Sequence, residues 1–330
     1  MVVTAPRAAG AHAPYAAMPV AVRGWVDDTL GSPVVSASDQ VGGMSPGCAT
    51  RLVCADGTRA FVKAVGDSLN PFSPALFRRE VQALGLLGSH PLWAALLASY
   101  DDGDWVALLL EDVEGSHPDL TDDATMELLL HRTDELVAVM NERVPEPPAP
   151  GPPDDRRPMF RGGPVDARES FRVWCDLLAR AHELPAGSLP GWVADELPDL
   201  VARVEALVQV PVDHVVHHDI RNDNLLQRPT GELVFVDWGV FSLGPGWVDP
   251  LMARLERVDS PWFDASLASS PALRAAGDDL VTAWLLGLGG TLAYLAETAD
   301  NRNMPTIEAF RRAESERLLS AARRRLDLSG

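Results

Sequence analysis

Short apolar runs separated by turn residues fill the first third of the chain and predict strands. The runs Ala49–Cys54 and Arg59–Val65 flank Asp56-Gly57, and an Asp-Gly pair between two such runs is a strong hairpin signal. A second hairpin is predicted from Ala94–Tyr100 and Trp105–Leu110 across a polar turn. This part of the chain therefore predicts a small antiparallel sheet.

Helical periodicity first appears in Pro74–Leu87 and dominates from residue 123 onward, with a β-rich interval at Val215–Phe241. The proline-rich stretch Pro145–Pro153 can be neither helix nor central strand, so we predict an exposed connection there. The further helices predicted are Asp123–Val144, Asp166–Leu184, Gly191–Val208, Leu273–Asp300 and Pro305–Leu326. The order predicts an α+β chain of two lobes: a flexible tail at 1–18, a small β lobe with one main helix at 19–112, and a larger, mostly helical lobe at 113–330.

Composition narrows the function. Of 330 residues, 28 are Lys or Arg and 47 are Asp or Glu, so the net charge is −19 and nucleic acid is a poor partner. The same charge favours a cationic small molecule, although an acidic surface also simply aids solubility. Three cysteines without metal-ligand spacing suit a reducing cytoplasm. No apolar run reaches the ~18 to 20 residues of a membrane span, so we expect no membrane partner.

A single lysine stands among 27 arginines. Lys63 falls in the second arm of the first predicted hairpin. Ammonium and guanidinium groups differ in compactness and in hydrogen-bond geometry, so the one retained lysine is a candidate functional residue. Chance retention is the alternative, and only the surroundings of Lys63 decide between the two.

Two apolar segments in the β-rich interval each deliver a carboxylate at a strand end. Asp219 follows Val215-Val216, and Asp237 follows Leu233–Val236. Pairing of Leu225-Leu226 with the second segment would bring Asn224 and Asp237 to the same end of a hairpin. Carboxylate and amide oxygens are ligands that suit Mg²⁺. The sequence therefore predicts a magnesium site here.

These residues also carry a family resemblance. His217-x-Asp219 with Asn224 five residues after the Asp resembles the catalytic loop of protein kinases, and Asp237-Trp238-Gly239 stands where kinases have Asp-Phe-Gly. The short form, with His217-His218-Asp219-Ile220 and no Ala-Pro-Glu segment after it, looks like the aminoglycoside phosphotransferase and choline kinase family. Trp247-Val248-Asp249-Pro250 is similar to a further landmark of that family. The resemblance implies a protein-kinase-like bilobal fold.

The resemblance implies a role for each motif residue. Asp219 would accept or orient the proton of an attacking hydroxyl, and His217 would brace its loop. Asn224 and Asp237 would hold magnesium against the phosphates of ATP. Position 218 is His where the family more often has Gly, which could narrow the acceptor site. GTP in place of ATP stays open. The residues implied to bind the nucleotide are Gly42, Gly43, Ser45, Lys63, Glu80, Glu111 and Val113.

The expected activity is magnesium-dependent transfer of the γ-phosphoryl group of ATP to a hydroxyl of a small, cationic molecule. The family suggests an antibiotic of the aminoglycoside or basic cyclic peptide type, and hence resistance, in a cytoplasmic monomer or weak dimer. A macrolide, sugar, amino alcohol or homoserine acceptor is an alternative. Two other classes stay open, a silent nucleotide-binding module and a metal-dependent hydrolase built on His217-His218-Asp219. The candidate acceptor-site residues are Asp264, Asp278, Asp279 and Glu297.

Overall fold

The computed structural model describes residues 5–7, 10–146, 153–154, 157–161, 164–301 and 303–329. Its strands are β1 Val34–Asp39, β2 Cys48–Cys54, β3 Arg59–Gly66, β4 Leu96–Asp101, β5 Trp105–Leu110, β6 Pro153–Asp154, β7 Arg157–Arg161, β8 Val165–Asp166, β9 His214–Val216, β10 Leu225–Gln227, β11 Leu233–Phe235 and β12 Ser242–Gly244. Its α-helices are α1 Val20–Leu30, α2 Ser73–Leu87, α3 Asp123–Arg143, α4 Ala167–Ala179, α5 Gly191–Asp195, α6 Leu197–Glu205, α7 Val248–Met252, α8 Pro261–Leu267, α9 Pro271–Ala276, α10 Asp278–Thr298 and α11 Ile307–Ser329.

The first lobe is built on a five-stranded antiparallel sheet in the order β1-β2-β3-β5-β4. Both predicted hairpins are present, and Gly57 takes the positive φ of 89° that its turn requires. Helix α2 packs on β3 and β5 through buried residues that include Phe77 and Leu84. The sheet thus fixes Lys63 on a central strand, opposite Leu108 of β5.

The beginning of the chain departs from the prediction of a flexible tail over 1–18. In the described part of that segment, Tyr15 and Met18 are buried against the sheet, together with Val22 and Val26 of α1. Helix α1 itself has no counterpart in the sequence prediction. The residues before α1 are rich in alanine and interrupted by prolines, a pattern typical of a frayed end.

The second lobe is mostly helical, as predicted, and α10 packs along α11 at its centre. Two predicted helices are each divided. Gly277, with a φ of 85°, separates α9 from α10, and Glu196 separates α5 from α6 just before Pro198. Most of the predicted connection Pro145–Pro153 lies outside the described residues.

One helix in the described part of the chain, α10, is long and apolar enough to cross a membrane by length and composition. Its most apolar window is 72% buried within the protein, where it packs against α4, α6 and α11. That environment is the one expected of a central core helix.

The β-rich interval forms small sheets at the junction of the lobes. Strand β10 pairs with β11 in the predicted antiparallel register, with Leu225 opposite Phe235, and the Val236 amide donates to the Asn224 carbonyl at 3.0 Å. Asn224 and Asp237 therefore lie at the same end of this hairpin. The predicted α+β two-lobed architecture is confirmed.

Candidate active site

Lys63 joins the two lobes electrostatically. Its Nζ lies 2.5 Å from Glu80 Oε2 of α2 and 3.3 Å from Asp237 Oδ1, beyond the end of β11. Burial lowers the pKa of the Lys63 ammonium, but Asp237 and then Glu80 outweigh it and raise that pKa above its ordinary value. The Lys63 side chain is 13% exposed and that of Asp237 is 46% exposed, so the pair opens onto the cleft. The lone lysine is thus a fixed cation at the junction of the lobes.

Helix α2 holds the segment that carries Asp237. Buried Arg79 donates from Nη1 to the Gly239 carbonyl at 3.1 Å, and Glu80 also accepts a hydrogen bond from the Trp238 amide. Asp237 has a positive φ of 66°, an uncommon conformation for a residue other than glycine. We did not predict a role for Arg79, because one arginine on a helix carries no signal of a partner 160 residues away.

Asp219 lies beside Asn224 and Arg221. Asn224 Nδ2 donates to Asp219 Oδ2 at 2.8 Å and to the Asp219 carbonyl at 2.9 Å. Arg221 Nε lies 3.2 Å from Asp219 Oδ1, and its Nη2 lies 2.9 Å from Asp223. Burial raises the pKa of Asp219, and Arg221 opposes that rise. The Asp219 carboxylate is therefore partly buried, oriented by Asn224 and partly charge-compensated by Arg221.

The two histidines before Asp219 have structural partners. The Asp219 amide donates to His217 Nδ1 at 3.3 Å, so the proton of this imidazole is on Nε2, which donates to the Val236 carbonyl at 3.2 Å. His218 Nδ1 lies 2.9 Å from Ser242 Oγ, whose own proton goes to the Val240 carbonyl, so Nδ1 is the donor. Burial lowers the pKa of both imidazoles to about 4.

Asp249 fixes the backbone that carries these histidines. Its two carboxylate oxygens accept the His217 and His218 amides, each at 2.8 Å, and His218 takes a positive φ of 64°. The Asp249 side chain is fully buried, which raises its pKa to about 6. A positive φ costs glycine no strain but strains histidine, so the backbone conformation at His218 depends on the hydrogen bonds to Asp249.

The residues present fit a magnesium ion. Both Asn224 hydrogen bonds to Asp219 use Nδ2, which leaves Asn224 Oδ1 without a hydrogen-bond partner among the described residues. The half-exposed Asp237 supplies a carboxylate at the same end of the hairpin. One amide oxygen and one or two carboxylates form a donor set typical of Mg²⁺ that also contacts phosphates.

The glycine-containing loop lies between β1 and β2, at the open end of the sheet. Gly42 and Gly43 have φ values of 114° and 75°, and Ser45 Oγ accepts the Gly47 amide at 3.3 Å. The His12 ring places one nitrogen near the Gly42 carbonyl and the other near the Gly47 carbonyl, and its N–H donates to one of them. The loop adjoins Lys63 in the sheet, because the following residue Cys48 pairs with Ala64.

The segment after β5 connects the lobes. Asp112 is nearly buried and pairs with Arg51 at 3.0 Å and Arg59 at 2.7 Å. The Glu111 side chain pairs with Arg228 of the second lobe at 2.7 Å, while the Val113 carbonyl accepts from Arg51. This network holds the connecting segment against the sheet. The adenine-binding role of Glu111 and Val113 stays a prediction.

A cavity of about 200 Å³ lies in the second lobe with Asp219 in its wall. His218, Arg221 and Asp223 line it beside Asp219, and its other walls include residues of α3, α4, α10 and α11, the segment 252–256 and the N-terminal residues 5–7. Its position would bring a compound bound there against the carboxylate of Asp219.

The four predicted acceptor-site carboxylates do not line this cavity. Asp264 bonds Arg324 at 2.7 Å and Arg325 at 3.0 Å, and Asp278 bonds Arg325 at 2.6 Å. Exposed Asp279 pairs with Arg203, and Glu297 pairs with Arg312 on the outer side of α10. The acidity of the C-terminal helices predicted these four carboxylates as acceptor-binding groups. In the structure, arginines of α11 form ion pairs with three of the four carboxylates.

The fold and the arrangement of Lys63, Asp219, Asn224 and Asp237 define a protein-kinase-like two-lobed architecture. Among solved structures, a thermostable mutant of the aminoglycoside phosphotransferase APH(4)-Ia, in ternary complex with ADP and hygromycin B, is similar with a TM-score of 0.62 and 16% identity, covering 92% of this chain and 99% of that one. Choline kinase LicA from Streptococcus pneumoniae is similar with a TM-score of 0.58 and 13% identity, over 92% and 98%.

Amicoumacin kinase hAmiN, in complex with AMP-PNP, Ca²⁺ and Ami, has a TM-score of 0.50 and 11% identity, over 85% of this chain and 88% of that chain. No family model matches the sequence, and no curated protein matches it. At these identities the likeness shows the fold, which is the fold that the sequence motifs imply.

Proposed function

We propose that the chain is a small-molecule kinase that transfers the γ-phosphoryl group of ATP to a hydroxyl group. The observation that carries the proposal is the convergence of Lys63, Glu80 and Asp237 across the cleft, with Asp219 and Asn224 beside the adjoining cavity. Phosphoryl transfer needs cations on the phosphate oxygens and an oriented hydroxyl near a base, and little covalent chemistry from the protein.

Each residue then has one task. Lys63, held by Glu80, would bind the α- and β-phosphates, and the amides of the Gly42–Ser45 loop would cover the phosphates. Asp219 would orient the acceptor hydroxyl and take its proton. Bound to Asn224 and Asp237, Mg²⁺ would neutralise charge on the phosphate oxygens. Neutral His217 would keep the Asp219 backbone in place through its Nδ1.

The similar solved structures support this function and, within it, a more specific class of acceptor. One of them is bound with hygromycin B, and two are named choline kinase and amicoumacin kinase. These names support a small hydroxyl compound as acceptor and antibiotic resistance as a role. The net charge of −19 supports a cationic acceptor, but the carboxylates that line the cavity already have arginine partners. Cytoplasmic location and the choice of ATP over GTP remain predictions.

The test is an acceptor screen with γ-labelled ATP or GTP, Mg²⁺ and a panel of hydroxyl compounds, run beside Asp219→Asn. Transfer of label to a compound by the wild type, lost in Asp219→Asn, supports the kinase. Nucleotide binding without transfer to any compound would identify the silent module. Metal-dependent hydrolysis that needs no nucleotide would identify the hydrolase and contradict the proposal.

A further inference from the structure

The cavity beside Asp219 lies where the kinase proposed above would bind its acceptor. The inference about the acceptor rests on that proposed function. Its deeper walls are apolar. Helix α10 contributes Trp284, Leu288 and Leu292, which recur every four residues on one helical face. Trp174 of α4 packs edge-on against Trp284, with ring centroids 5.6 Å apart and an interplanar angle of 81°, and Phe310 of α11 adds a third ring.

Three arginines offset most of the carboxylate charge of the cavity. Four carboxylates line it, and each lies within ion-pair distance of an arginine that also lines it. The pairs are Asp219 with Arg221 at 3.2 Å, Asp223 with Arg221 at 2.9 Å, Glu314 with Arg317 at 2.7 Å and Glu256 with Arg7 at 2.7 Å. An ammonium group on the acceptor would therefore find no carboxylate among them without an arginine already beside it.

Arg221 occupies the space beside Asp219 and Asp223, the carboxylates to which an ammonium group could bind. It contacts Asp219 and Asp223, and its guanidinium carbon lies 5.3 Å from the centre of the Phe310 ring. Contacts with two carboxylates and one ring restrict its movement. A cationic acceptor near Asp219 and Asp223 would also meet this fixed positive charge, which cancels part of the attraction of the two carboxylates in a partly desolvated site.

We propose that the acceptor is an uncharged alcohol with an apolar body, which the rings and leucines of α4, α10 and α11 enclose, and that Arg221 selects against ammonium-bearing acceptors. Arg221 acts by occupying Asp219 and Asp223, the carboxylates that a cationic acceptor would otherwise use. An apolar body gains free energy when it leaves water for these walls, whereas a polycation would lose hydration without a free counter-charge.

A matched pair of probes tests this directly. The alcohols trans-4-ethylcyclohexylmethanol and trans-4-(aminomethyl)cyclohexylmethanol differ by a terminal methyl against an ammonium group. With ATP and Mg²⁺ we expect the wild type to favour the ethyl compound at least about tenfold in kcat/KM, because the apolar walls favour the methyl group and desolvation opposes the ammonium. Arg221→Gln should reduce this preference by about tenfold, chiefly through the KM of the aminomethyl compound.

A second variant guards against misfolding of Arg221→Gln. Leu288→Glu places a carboxylate in the cavity wall while Arg221 and Asp219 keep their side chains, and should shift the preference toward the aminomethyl compound. Leu86→Glu makes the same change on the exposed side of α2 and should leave the preference unaltered. A wild-type preference for the aminomethyl compound, or a ratio unchanged in both cavity variants, overturns the proposal.

Binding separates this proposal from the kinase function. Saturation-transfer NMR with AMP-PNP and Mg²⁺ measures the affinity of both probes without any chemistry. Selective binding of the ethyl compound, reduced in Leu288→Glu, supports the uncharged acceptor even if no label is transferred, and such a result would count against the kinase alone. Equal binding, tighter binding of the aminomethyl compound, or binding of neither overturns the acceptor proposal.

Discussion

Lys63 Nζ lies 2.5 Å from Glu80 Oε2, so the single lysine of the chain is tied to helix α2 while it reaches Asp237 in the other lobe. We expect Lys63→Met to lower kcat/KM by about 10²-fold or more, because a preorganised cation on the phosphates is lost. Lys63→Arg should not restore activity, since a planar guanidinium does not occupy the ammonium position. Steady-state kinetics with varied ATP provide the measurement.

Arg59→Met is the control for Lys63→Met. Arg59 lies on the same strand, but it is half-exposed and contacts Asp112 and Glu114 instead of the cleft. Its replacement leaves Asp112 paired with Arg51 and should change kcat/KM by only a few-fold, far less than the loss expected for Lys63→Met. Similar losses in both variants would show that any change in β3 is harmful, and would remove the special role of Lys63.

Asp219→Asn separates binding from chemistry. The amide keeps the size of the carboxylate but cannot accept the hydroxyl proton, so we expect kcat to fall about 10² to 10⁴-fold. Nucleotide affinity, measured by isothermal titration calorimetry with AMP-PNP and Mg²⁺, should stay within a few-fold of the wild type. Retained turnover would contradict the assignment of Asp219 as the base.

Arg79 should stabilise the Asp237 segment through the Gly239 carbonyl. Loss of a buried, charge-assisted hydrogen bond in Arg79→Met is expected to reduce the free energy of unfolding by about 2 kcal/mol. The neighbouring Arg78 forms a partly exposed pair with Asp101, so Arg78→Met should cost less than about 1 kcal/mol. Urea unfolding of both variants gives the comparison, and equal losses would remove the role assigned to Arg79.

Buried neutral histidines should make stability depend on pH. The unfolded imidazole binds its proton near pH 6.5, whereas burial lowers the pKa of folded His218 to about 4. The unfolded chain therefore binds more protons in this window, and stability falls as the pH decreases through it. For His218 alone the loss from pH 7 to pH 5 is about 2 kcal/mol.

The variant His218→Asn isolates this effect, because asparagine tolerates a positive φ and does not titrate. It should lose less stability than the wild type between pH 7 and pH 5, and His131→Asn at an exposed position should behave like the wild type. Asp249 contributes with the opposite sign, since its folded pKa of about 6 lies above the ordinary carboxyl value. Parallel stability curves for wild type and His218→Asn would contradict the account.

The catalytic segment was predictable because its contacts are local in sequence. Asn224 lies five residues after Asp219, and a short turn closes the hairpin to Asp237. Strand pairing alone therefore predicts that these residues lie close together. The family resemblance implies that Lys63 and Glu80 both lie at the nucleotide, and the structure pairs the two side chains.

The acceptor cavity was not predictable from the same reasoning. Its walls bring together α3, α4, α10, α11 and the separate segments 5–7 and 252–256. The acidity of the C-terminal helices instead predicts a site at carboxylates that arginines of α11 largely occupy. Pairings such as Glu314 with Arg317 depend on side-chain direction. The burial of Tyr15 and the packing of α1 depend likewise on tertiary contacts with the sheet, which the sequence of residues 1–30 does not indicate.

A crystal structure with AMP-PNP and Mg²⁺ tests the central claim most directly. The account predicts the triphosphate in the cleft, with the α- and β-phosphates at Lys63, the metal at Asn224 and Asp237, and the γ-phosphate facing the cavity beside Asp219. A triphosphate bound elsewhere, or one bound in the cleft with Lys63 and Asp237 both turned away from it, would contradict the account.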